Sequence, residues 1–162
     1  MAKIYNDLRP VGIVYLFLIL LGSCGPKIVY EHKTEVPDPW KYSDTLSFEY
    51  EISDVSKAYD LMLRVSHNKD FRYENLYIRA TTTFPDMTVT SSPLSLELSK
   101  DGGEWEGNCS SKTCTAEIML SQQAFFKTKG RYRLKLEQFS RQDSLPGVSS
   151  MTLLLTEATQ KK

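Results

Sequence analysis

A basic excess, metal-ligand clusters and long apolar runs are all missing from this chain, and each gap closes off a class of function. Among 162 residues, 20 lysines and arginines face 20 aspartates and glutamates. Without a positive stripe there is no means of neutralising a phosphate backbone, which argues against nucleic-acid binding. The only histidines are His32 and His67, and the only cysteines Cys24, Cys109 and Cys114. No spacing among them matches a zinc site, so no metal and no other cofactor is expected. A glycine-rich phosphate loop and a serine in a nucleophile elbow are absent too, so the chain reads as a non-enzyme. The longest apolar run, Val11 to Leu21, has 11 residues, about half of the roughly 20 that a membrane-crossing helix needs.

That short run nevertheless fixes the address. Lys3 and Arg9 precede it, and it ends in Leu21-Gly22-Ser23-Cys24. A positive segment, a short apolar stretch and small residues at the cut make a secretory signal. The cysteine placed directly after the small pair gives the bacterial lipobox form, in which Cys24 carries the lipid. Residues 1–23 are then a lipoprotein signal peptide, and the membrane is the first partner, reached through acyl chains that contribute about 0.8 kcal/mol per buried methylene. Gly25, rather than an aspartate, follows Cys24, which points to the outer membrane, on its periplasmic face.

Loss of the signal removes Lys3, Arg9 and Asp7 and leaves a chain of one domain's length with a net charge of about −1. In an oxidising compartment Cys109 and Cys114, within NCSSKTC, are expected to form a disulfide. So short a loop stabilises by only about 2 kcal/mol, which suits a hairpin tip better than a clamp on the domain.

Residues 24–44 read as a lipid-anchored tether, because Pro26, Pro37 and Pro39 forbid a regular helix there, with Trp40 docking the chain on the domain. Period-two alternation then takes over. Leu46, Phe48, Tyr50 and Ile52 alternate with polar residues, as do Tyr59, Leu61, Leu63 and Val65 with His67 in the same phase. A third set runs from Leu76 to Phe84, and a weak strand near Val89 precedes a cleaner one through Leu94 to Leu98. Pro93 marks an edge or a break. Ala116 to Leu120, Tyr132 to Leu136 and Met151 to Leu155 complete the series, and Gln122 to Lys129 has room for a helical turn or two. Seven or eight short strands predict an all-β domain over 45–157, a two-sheet antiparallel β-sandwich of jelly-roll-like or immunoglobulin-like topology, with 158–162 a frayed tail.

An inward-phase His67 suits a core better than catalysis. Interaction residues are sought instead in the connections, where binding groups concentrate. Phe71, Arg72, Tyr73, Trp105, Arg141 and Asp143 are the candidates, since aromatic and arginine side chains anchor interfaces.

Several stretches together carry a family resemblance: SCG at the lipidation point, Trp40, SFEYEI, YDLMLRVSHNKDFRYENLYI, LSLELSKDGGEWEG and GRYRLKLEQFSRQDSLPGV. The chain resembles the gliding motility lipoprotein family GldH over nearly the whole mature sequence. The cysteine pair departs from that pattern and marks a local addition. The resemblance implies a lipid-anchored, non-enzymatic cell-envelope component of gliding motility and its associated secretion machinery, with envelope proteins as partners. An alternative from the residues alone is a glycan-binding envelope lipoprotein, in which exposed tryptophan and tyrosine rings stack on sugars.

Overall fold

The computed structural model describes residues 25–159; residues 1–23, expected as a signal peptide, Cys24, and the last three residues of the tail lie outside the described residues. Eleven strands follow one another: β1 (Ile28–Glu35), β2 (Trp40–Lys41), β3 (Thr45–Ile52), β4 (Ala58–Asn68), β5 (Asn75–Thr83), β6 (Val89–Glu97), β7 (Asn108–Cys109), β8 (Thr113–Phe125), β9 (Gly130–Gln138), β10 (Ser144–Leu145) and β11 (Val148–Glu157). All strand pairs are antiparallel, and no helix occurs among the described residues.

One sheet has the order β1-β11-β4-β8-β7, a second β3-β9-β5-β6, and β2 with β10 makes a two-stranded ribbon. Successive long strands mostly belong to opposite sheets, so the chain crosses the core repeatedly. Inward residues of both sheets, among them Leu63, Leu153 and Ala116 from the first and Phe48, Ile78 and Leu136 from the second, form one buried cluster.

Register explains why the alternation holds. Leu46, Phe48 and Tyr50 of β3 stand opposite Leu136, Leu134 and Tyr132 of β9, all buried. A slip of one residue would turn every one of them to water. Tyr50 and Tyr132 stack with centroids 5.6 Å apart and planes within 7°. On the wet face of the same pair, Arg133 donates to Glu49 at 2.7 Å.

Three expectations are corrected. The segment expected as a tether over 24–44 contains β1, an edge strand paired to β11 from Ile28 to Glu35, and Val36 behind it is buried with its amide donating to the Ser149 carbonyl at 2.9 Å. An edge strand wets most of its side chains, so Ile28–Glu35 shows no apolar alternation to read. The ordered unit therefore begins at 28, not 45. Val89 to Glu97 is one strand rather than two, with Pro93 tolerated because β6 is the outer strand of its sheet. And β8 runs on to Phe125 where helical turns were expected. There Gln123 takes a φ of 51° and its amide donates to the Asp60 carboxylate at 2.7 Å, beside a register shift in β4. The kink keeps the strand paired past a bulge.

Candidate functional site

Antiparallel pairing sorts the connections into two ends. The turns after β3, β5 and β8 lie at the end where β1 begins and β11 finishes. The loops 69–74, 98–113 and 139–147, with the Trp40 segment, lie at the other. All six sequence candidates fall at this second end.

They are not equivalent there. Phe71 is buried in the core and Trp105 is half-buried, so neither is available as an exposed anchor: their rings close the end of the core instead. Trp105 packs on His67 with centroids 4.6 Å apart, and His67 on Phe71 at 5.5 Å. Phe71 in turn meets Tyr73 at 5.6 Å, edge to face. Arg72, Tyr73, Arg141 and Asp143 remain exposed.

Tyr73 and Arg141 line a cleft of about 690 Å³ together with Asn75, Tyr77, Phe139 and Gln142, within the roughly 300–1,000 Å³ usual for ligand sites. A smaller cleft of about 410 Å³ adjoins it, sharing Tyr73 and Gln142 and adding Arg72, Asp38 and Asp70. Asp38 has a structural task, accepting from the Gly147 amide at 3.2 Å.

The cleft is held in shape by residues that strand patterning does not single out. Gln138, buried at the end of β9, donates through Nε2 to the Gln142 carbonyl at 2.9 Å, and its Oε1 accepts from the Ser140 amide and hydroxyl at 3.0 and 2.7 Å. Tyr42 ties the same loop by donating its hydroxyl to the Ser140 carbonyl at 2.5 Å. Such a loop enters binding already ordered, which lowers the entropic cost of association. The Phe139 amide donates to the Tyr77 carbonyl at 2.9 Å, which sets these two exposed residues opposite each other, and the Arg79 guanidinium lies 4.3 Å from the Phe139 ring centroid. The sequence signal for Tyr77 was an aromatic residue in the polar phase of β5; for Gln138 there was none.

His67 is fully buried. Its Nδ1 is 2.9 Å from the Asn68 carbonyl, which places the proton on Nδ1, while Nε2 has no protein partner. Burial depresses its pKa below the ordinary 6.5, and the bond to Asn68 opposes this only in part. This is a neutral core imidazole. Nearby, Cys109 and Cys114 are joined in a disulfide with Cα atoms 4.0 Å apart. Among the described residues no group of three or more histidine, cysteine or acidic side chains is placed to hold a metal ion.

Residues 28–153 match the sequence model of a family described as GldH lipoprotein. A gliding motility lipoprotein GldH homolog of Christiangramia forsetii is 28% identical over 139 residues, covering 84% of this chain and 85% of that one. The gliding motility lipoprotein GldH of Flavobacterium johnsoniae is 26% identical over 141 residues, covering 86% and 87%. Among solved structures, the VP2 subviral particle of infectious bursal disease virus aligns with 84% of this chain and 34% of its own at 8% identity, with a TM-score of 0.37, too low to carry an argument.

Proposed function

The chain belongs to the GldH lipoprotein family, and from that premise we propose that it is a lipid-anchored protein of the cell envelope, a non-enzymatic component of gliding motility and its associated secretion machinery. Its anchor is Cys24, exposed when signal peptidase removes residues 1–23, and its station is the periplasmic face of the outer membrane. The observation that carries this reading is the family match, which spans nearly all of the strand-forming chain.

The shape is a β-sandwich of jelly-roll type. In support, two sheets enclose one cluster, and the long strands run in the orders β1-β11-β4-β8 and β3-β9-β5-β6, so that six of the seven consecutive pairs of long strands cross between sheets. On such a frame the loops around Tyr73, Arg72, Arg141 and Asp143 form the docking end for an envelope protein. Exposed tyrosine and arginine beside a preordered loop are what interface hot spots use. Deleting the gene in its native host is expected to abolish surface movement and export of surface proteins. The wild-type gene restores both and a Cys24→Ser copy does not; normal movement and export in the deletion strain overturn the reading.

The larger cleft also favours glycan binding. Tyr73 and Tyr77 expose their rings beside Arg141 and Asn75, an arrangement in which sugar C–H faces stack and hydroxyls find planar partners. Trp105, packed on His67, is not part of it. A glycan array probed with wild type and Tyr77→Ala separates this from protein docking, since only sugar binding through the cleft disappears with the ring.

A further inference from the structure

The end of the molecule opposite the docking loops is where the chain enters from Cys24, and its surface differs from the rest. Nine large hydrophobic side chains are exposed among the described residues, and the four most exposed, Met87 at 77%, Phe125 at 64%, Val89 at 59% and Ile28 at 55%, all lie here. Their spread is wide. Ile28 starts the β1 edge of one sheet, Phe125 ends β8 near its far side, and Met87 and Val89 sit at the start of the outer strand of the other sheet. Isolated exposed apolar residues are ordinary, and the opposite end exposes Tyr42, Tyr73, Tyr77 and Phe139, but those are all aromatic and each less exposed than the four gathered here.

Charge at this end follows the same logic. Most of its acids are occupied within the protein, the exception being Glu51, exposed opposite Arg131 at the end of β3. Asp54 accepts from the Ser56 amide and hydroxyl, Asp86 from those of Thr88, and Glu157 is held by Lys27 and Lys57, each at 2.8 Å. Lys127 and Lys129, in the turn after Phe125, make no ion pair among the described residues.

Distance decides what meets this surface. Four chain steps separate Cys24 from Ile28, and at roughly 3.3–3.6 Å per residue they reach about 14 Å at most. A headgroup layer occupies roughly 6 Å of each leaflet. With so short a link, the first residue of β1 is never far from the lipid surface.

We propose that this end of the domain is a membrane-contacting surface. Ile28, Met87, Val89 and Phe125 enter the headgroup boundary and Lys127 and Lys129 meet lipid phosphates, so that the opposite end is presented outward. The apolar tips supply the contact area and the lysines add attraction to an anionic surface, as for other interfacial proteins. The inference rests on acylation of Cys24, and its test separates the two.

The acylated full-length protein is placed on vesicles of phosphatidylethanolamine and phosphatidylglycerol, its mass is measured, and amide hydrogen exchange is followed at both ends. Wild type is expected to lose exchange in turns 84–88 and 126–129 relative to a Met87→Ser, Phe125→Ser variant on the same vesicles, with loop 139–143 exchanging alike in both. Both substitutions are at exposed sites, and an unchanged circular dichroism spectrum confirms the fold. An acylated protein whose 84–88 and 126–129 turns exchange as fast as the variant's, or which is protected at 139–143 instead, overturns the inference and leaves the anchor standing. A mass without acyl chains overturns both. Protection that persists on vesicles of phosphatidylcholine alone assigns the contact to the apolar tips; its loss there assigns it to the lysines as well.

Discussion

The rings of Trp105 and His67 meet at 64° with centroids 4.6 Å apart, which leaves the imidazole sealed between an indole and Phe71. In the unfolded chain this histidine takes a proton near pH 6.5, whereas in the fold burial resists it. Acidification therefore loads protons onto the unfolded state first. Stability is complete above about pH 7 and falls as pH drops through about 6.5 toward the depressed folded value. Urea midpoints are expected to decline between about pH 7.5 and 5.5, before most carboxylates titrate, and His67→Phe flattens the decline. An unchanged slope in that variant assigns the pH dependence elsewhere.

Gln138 organises the loop that carries Arg141. Replacing it with leucine leaves the Ser140 amide and the Gln142 carbonyl without this partner, which costs about 1–3 kcal/mol. Equilibrium urea unfolding measures the loss. Chymotrypsin, acting after Phe139, is expected to cut Gln138→Leu faster than wild type under native conditions.

At Gly107 two backbones run close together. A Cβ there would stand 2.0 Å from the Thr115 carbonyl oxygen, at a φ of +81°, so Gly107→Ala forces β8 away from its neighbour. We expect a loss of at least about 2 kcal/mol. Gly102→Ala, also at positive φ but with open space around it, costs about 1 kcal/mol. Thermal melts of the two variants side by side isolate the cost of the clash.

The disulfide closes a tip, not the core. Converting Cys109 and Cys114 together to alanine is expected to lower stability by no more than about 2 kcal/mol and to leave the far-ultraviolet circular dichroism spectrum intact. Collapse of the fold on reduction would contradict this.

Deleting 28–35 tests where the domain starts. Without β1, strand β11 becomes an unpaired apolar edge through Met151, Leu153 and Leu155. Such edges recruit other chains, so the truncated protein is expected to sediment as aggregates, whereas a mere tether would be dispensable.

Strand identity was legible wherever one face is wet and the other dry. In β3 and β9, and through most of β4 and β5, solvent on one side imposes a two-residue period that survives in the sequence. The pattern fails at edges and irregularities. β1 is wet on both faces over much of its length, and β8 past Leu120 is kept extended by Asp60 from another strand. Of the candidate residues, loop position was readable but exposure was not. Phe71 and Tyr73, two residues apart in one loop, end up in the core and at a cleft, because packing partners outside that loop, among them His67 and Gly147, lie on Phe71 and cover it.

Sequence alone raised the expectation of an envelope address, through the order of charge, short apolar run, small residues and cysteine; it also set the all-β class and the family, since these depend on local chemistry and spacing. Tertiary structure alone decided that the ordered domain reaches back to Ile28, that the interaction candidates share one end, and that the most exposed apolar side chains share the other. Those are facts about which strand ends lie together, and they arise from pairings between residues as far apart as Ile28 and Thr156, a separation over which no local pattern has any hold.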